Sequence, residues 1–91
     1  MNQQDHLELP KIQLQGACAG IYFLYHDHEL VYIGRGWNCL LRVAEHTRKD
    51  SVKIFTHWSF MPIENPYDIK VTERLLINKY APKFNKTYIN I

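Results

Sequence analysis

Gly20-Ile21-Tyr22-Phe23-Leu24-Tyr25-His26-Asp27-His28-Glu29-Leu30-Val31-Tyr32-Ile33-Gly34 is the stretch whose reading decides the fold. Two runs rich in β-branched and aromatic residues flank the polar tip His26-Asp27-His28-Glu29, which is the pattern of a β-hairpin. Each strand carries one tyrosine of interest, Tyr22 and Tyr32. Side chains alternate faces along a strand, so the parity of the connection decides whether the two hydroxyls meet. An odd number of loop residues sets them opposite each other on one face, as a polar pair on a small platform.

Outward from the hairpin, whose strands are expected over 17–25 and 30–34, Gly34-Arg35-Gly36 breaks the apolar pattern. Asn38 suits the N-cap of a helix running to about Lys49, with Leu40, Val43, Ala44 and Thr47 as its stripe. The run from Lys53 to Ile63 predicts a third strand, stopped by Pro62. Pro66 suits the first turn of a second helix reaching Tyr80, and Ala81-Pro82 ends it, because the residue before proline avoids the helical region. Residues 1–16, with Leu7, Leu9, Ile12 and Leu14 alternating around Pro10, read as an N-terminal arm or edge strand. The expected architecture is α+β in ββαβα order: a small three-stranded antiparallel sheet flanked by helices, occupying residues 17–91.

Composition bounds the alternatives. Ninety-one residues make one domain, and a chain of this size buries only about 60–65% of its unfolded surface. Apolar content of 46% and charged content of 22% are those of a soluble globular protein. Met1-Asn2-Gln3-Gln4-Asp5-His6 has neither the basic nor the apolar region of a signal peptide, and no run approaches a membrane span. Those readings predict a cytoplasmic protein with no membrane partner. Cys18 and Cys39 are then expected as reduced, packed thiols rather than a bridge or a zinc site. The net charge of +2 says little, but its distribution says more: Arg35, Arg42, Arg48, Lys49 and Lys53 share one stretch with only Glu45 and Asp50 as acids. Lys79, Lys83 and Lys86 cluster near the C-terminal end. Such clusters suit phosphate neutralisation, although a solvated basic face is the commoner origin of a cationic run.

Several residues carry chemistry. Glu73 falls at helical spacing among Ile69, Leu76, Ile77 and Tyr80, inside the stripe that should face the sheet. An isolated carboxylate there costs several kcal/mol, so a metal ion, an arginine or a ring of hydroxyls must offset it. Arg42 and His46, four apart, project from one helix face. Arginine grips phosphate with two parallel donors, and histidine exchanges a proton near neutral pH. Taken singly, each has an ordinary reading: a structural ion pair for Glu73, a solvated pair for Arg42 and His46, packing for the tyrosines, a loop for Asn85.

Taken in order, these residues are less ordinary. GIY, YIG, an asparagine-capped helix with Arg then His, a helix Glu and an Asn after a Pro resemble the GIY-YIG nuclease family over residues 17 to about 86. The resemblance implies catalytic roles for Tyr22, Tyr32, Arg42, His46 and Glu73, substrate contacts for Arg35, Asn85 and Lys86, and Glu73 as the metal ligand. Gly36 stands where a small hydroxyl residue is usual, Trp37 adds an aromatic beside it, and Cys39 replaces a frequent leucine. None of these departures removes a catalytic group.

The implied chemistry is phosphodiester hydrolysis of nucleic acid, with DNA favoured, around one Mg²⁺ or Mn²⁺. Arg42 would stabilise charge on the phosphate. Tyr22 would orient or deprotonate the water, its phenolate favoured by Arg35 or His46, and Asn85 would position a phosphate or a tyrosine. One site cuts one strand, so double-strand cleavage requires a homodimer or two visits. Two alternatives use the same fold: a catalytically inactive nucleic-acid-binding module, and an interaction domain docking through its sheet. The complete Tyr-Tyr-Arg-Glu-Asn set argues against both.

Overall fold

The computed structural model describes residues 10–48 and 53–85. Residues 1–9 of the expected arm, Lys49 and Lys86 lie outside the described residues. Five elements follow in the order β1 (Gly20–His26), β2 (Glu29–Gly36), α1 (Cys39–Glu45), β3 (His57–Pro62) and α2 (Pro66–Tyr80). The sheet is antiparallel with strand order β2-β1-β3, so the GIY strand is central.

The hairpin register departs from the simplest expectation. The connection is a two-residue turn, Asp27-His28, with Asp27 in the left-handed region at φ 55 that aspartate tolerates. From that turn His26 pairs with Glu29 and Tyr25 with Leu30. Continued unbroken, this register would put Tyr22 and Tyr32 on opposite faces. A bulge at Val31 intervenes, and beyond it Leu24 pairs with Tyr32 and Tyr22 with Gly34. The two tyrosines therefore share a face, as expected, but sit diagonally rather than opposite each other. β2 also runs on through Arg35 to Gly36, beyond the expected end at Gly34.

Each face of the sheet buries its own core. Tyr22, Leu24 and Val31 pack with Cys39 and Val43 of α1, and Tyr32, Trp58 and Phe60 flank them. On the opposite face Ile21 and Ile33 pack with Ile69 and Ile77 of α2. Cys18 and Cys39 are free thiols, and burial pushes Cys39 up to about 11, where it packs as a neutral group.

Capping follows from residue type. Asn38 accepts from the Leu41 amide, while the carbonyls of Cys18 and Gly16 take the amides of Cys39 and Leu40, satisfying the first turn of α1. Residues 10–16 thus run to α1 without forming a strand, as an arm does. α1 ends at Glu45 rather than near Lys49. Its bonds tighten to His46 N–H on Val43 and Thr47 N–H on Ala44, and the Thr47 hydroxyl donates to the same Ala44 carbonyl. α2 keeps its expected limits: Asn65 caps it, Pro66 opens it, and Ala81, at φ 44, ends it before Pro82.

Candidate active site

Tyr22 enters the site from the middle strand with its side chain wholly buried. Its hydroxyl lies 2.9 Å from Nε2 of His46, at the end of α1. The ring centroids of Tyr22, Tyr32 and His46 lie 5.3–6.1 Å from one another, a three-ring cluster at aromatic packing distance. Arg42 stands one turn before His46 and interacts with the same Tyr22 hydroxyl.

Two glycines on β2 make room for this cluster. Tyr32, Gly34 and Gly36 alternate on one face. A Cβ at Gly34 would come within 2.8 Å of the Tyr22 ring, and one at Gly36 would come 2.6 Å from Cγ of Arg42. The Tyr22 ring occupies the first space and the Arg42 stem the second.

Burial is the largest influence on Tyr22 and, with the neighbouring Tyr32, pushes its phenol well above the ordinary tyrosine value despite Arg42. A resident phenolate at neutral pH is therefore disfavoured. Arg35 does not supply the cationic bias expected of it. It pairs in register with Ile21, on the α2 side of the sheet, and its Nε lies 3.6 Å from Oε1 of Glu73. His46 is lowered, first by burial and then by Lys53 and Arg42, so its imidazole is neutral at pH 7 and can accept a proton.

Glu73 is 7% exposed, on the buried stripe of α2 with Ile69 and Ile77. Burial raises its carboxyl above the ordinary range, and Arg35 opposes that in part. The arginine expected under the ordinary reading is present as a salt bridge at 3.6 Å, although it is itself half exposed. Among the described residues no three His, Cys, Asp or Glu side chains gather to hold a metal. A cation at Glu73 would thus have one protein carboxylate and fill its shell from water and substrate, which suits Mg²⁺. A groove of about 420 Å³ lies between α2 and the end of β2 with the start of α1, lined by Arg35, Gly36, Trp37, Arg42, Pro66, Ile69 and Lys70; of the cluster above only Arg42 lines it, and Glu73 does not.

Asn85 packs against the edge of β2. It is 5% exposed, its Oδ1 accepts from the Ile33 amide and its Nδ2 donates to the Ile33 carbonyl, each at 2.8 Å. With Phe84 N–H on the Val31 carbonyl, it straps the tail to the open edge of β2. One N–H and the oxygen of the amide bond the strand, so Asn85 positions the backbone between Tyr32 and Gly34. Two contacts escaped sequence reasoning. Glu45 binds Arg42 Nη1 at 2.6 Å, a pair signalled only by i,i+3 spacing. Lys53 lies 4.9 Å above the Tyr32 ring, and its place in the basic stretch was the available signal.

No protein-family model matches the chain. UvrABC system protein C of Mycoplasma capricolum is 30% identical over 92 residues, a match covering 93% of this chain but 15% of that protein. Among solved structures, the GIY-YIG N-terminal endonuclease domain of UvrC from Thermotoga maritima, bound to its catalytic divalent cation, magnesium, superposes with a TM-score of 0.68. Identity there is 22%, over 93% of this chain and 99% of that domain. A tyrosine-to-phenylalanine point mutant of that domain, also bound to its divalent cation, matches equally well at 21% identity. The fold of this chain is the fold of that domain. Among the described residues no helix is long and apolar enough to cross a membrane.

Proposed function

We propose that this chain, built on the GIY-YIG fold, is a metal-dependent endonuclease of that family, hydrolysing phosphodiester bonds of nucleic acid, DNA first among the candidates. The observation that carries the reading is the cluster of Tyr22, Tyr32, Arg42 and His46 on one face of the sheet. Packing alone gives no reason to gather two phenols, an imidazole and a guanidinium at one point. The magnesium-bound UvrC domain of the same fold supports it.

Glu73 would hold the single Mg²⁺ or Mn²⁺, whose chemistry when bound is to polarise the scissile phosphate and stabilise the leaving oxygen. Arg42, leaving Glu45, grips the phosphate and stabilises the charge that builds on it. Tyr22 acts as a neutral relay rather than a standing base: it takes a proton from the attacking water while passing its own to Nε2 of neutral His46. Tyr32 packs against both partners and holds their rings in register.

Incubation of the chain with supercoiled plasmid, linear duplex, single strands, branched DNA and RNA, in Mg²⁺, Mn²⁺ or EDTA, tests the proposal. Metal-dependent cleavage of at least one substrate, lost in EDTA and in Glu73→Gln, is the expected result. Retention of nucleic acid without cutting in either metal would instead establish the binding-module reading.

A further inference from the structure

Trp37 is 72% exposed at the corner between β2 and α1, and among the described residues its ring stacks on no other. Tryptophan is on average a highly buried residue. The position normally has a structural use. A residue just before the N-cap packs on the fourth helical residue as a hydrophobic staple. Here the N-cap is Asn38 and the fourth helical residue is Arg42, a cation paired with Glu45. The staple position on α1 therefore offers the indole no apolar side chain. Trp37 instead lines the groove that it shares with Arg35, Arg42 and Lys70 and with Pro66 and Ile69 of α2.

A large exposed aromatic beside three cations, one of them the Arg42 proposed to grip the phosphate, matches the surfaces on which nucleic-acid strands lie, with phosphates on the cations and a base face on the ring. We infer that Trp37 is a stacking platform for an unpaired nucleobase next to the phosphate held by Arg42, so that the groove favours strands carrying an unstacked base over continuous duplex. The physical reason is that a base inside a duplex has both faces covered by its neighbours. Only single strands, bulges, frayed ends and branch points offer a free π-face. DNA and RNA share this chemistry. The inference rests on the nuclease reading for its choice of ligand, but it concerns binding, and its test needs no cleavage.

The chain has two tryptophans, so Trp58→Phe leaves Trp37 as the sole indole reporter. Intrinsic fluorescence of that variant is titrated in EDTA with single-stranded DNA, single-stranded RNA, continuous duplex, a duplex with one bulged base, and an abasic sugar-phosphate oligomer. Single strands and the bulged duplex are expected to quench Trp37 strongly, and continuous duplex and the abasic oligomer weakly at equal saturation. In the otherwise unaltered chain, Trp37→Ala should weaken single-strand binding roughly five- to hundredfold, Trp37→Phe should recover part of it, and duplex binding should change little. Equal quenching by the abasic oligomer, or equal losses on paired and unpaired strands, would overturn the inference. If the chain quenches as expected but never cuts, the platform stands and the catalytic proposal alone fails. If it cuts but Trp37→Ala discriminates nothing, the reverse holds.

Discussion

Gly34→Ala tests the site at its most constrained point. The backbone there is ordinary for an L-residue, so an added methyl meets a packing problem only. That methyl would lie 2.8 Å from Cε1 of Tyr22 and closer still to Cζ and the hydroxyl. Carbon atoms settle at about 3.5–4.0 Å, so ring and strand must separate by about 1 Å. The Tyr22 ring is wholly buried against α1 and has no free direction to move. Overpacking of this kind costs about 1–3 kcal/mol, which lowers Tm by roughly 4–20 °C in a domain this small. The shift also carries the hydroxyl off His46, now 2.9 Å away, and a misplacement of about 1 Å costs on the order of 10² in rate. Thermal unfolding and single-turnover nicking, measured on one preparation, are the assays. Gly36→Ala is the internal contrast, because its methyl meets the stem of Arg42, a half-exposed side chain that can yield. It should leave Tm within about 2 °C while slowing cleavage by displacing the phosphate grip. An unchanged Tm and nicking rate for Gly34→Ala would refute the claim that the glycine exists to seat Tyr22.

Further outcomes follow from the same geometry. Glu73→Gln should abolish metal-dependent cleavage and raise Tm at neutral pH. The Glu73 carboxyl is raised in the folded state, so its ionisation destabilises the metal-free fold above that pKa. The gain should therefore shrink as pH falls through the raised value and vanish below the ordinary carboxylate range, and a gain constant from pH 4 to 8 would contradict it. Cleavage should fall as acid protonates His46, with an inflection below the ordinary histidine value, and His46→Gln should remove that inflection along with most activity. Arg42→Lys should slow cutting nearly as much as Arg42→Ala, about 10²–10³-fold, with a far smaller loss of binding, and a wild-type rate would reduce Arg42 to a surface charge. Asn85→Ala strands the Ile33 amide and carbonyl and should cost about 1–3 kcal/mol for each group left unpaired, with faster hydrogen exchange at the Ile33 amide as its local signature.

The tail shows where local reading stops. Asn85 is 52 residues from Ile33 in the chain, and no spacing rule connects them. The same holds for Tyr22 and His46, 24 apart, and for Arg35 and Glu73 across the α2 side of the sheet. By itself the sequence determined what depends on neighbours along the chain. It set the hairpin around the turn at Asp27-His28, the asparagine cap at 38, the limits of α2, and the side of that helix on which Glu73 is buried. Turn chemistry, capping and periodicity are local, and these positions obey them. Only the tertiary structure decided the one-residue bulge at Val31, and through it that Tyr22 and Tyr32 share a face although the turn alone would part them. Alternation along β2 already parts Arg35 from Tyr32, but only the tertiary structure brought Glu73 to Arg35 and set Asn85 on the edge of β2. In a sheet with period two, one inserted residue reverses every side chain beyond it, so packing of both faces against α1 and α2 had to choose the register.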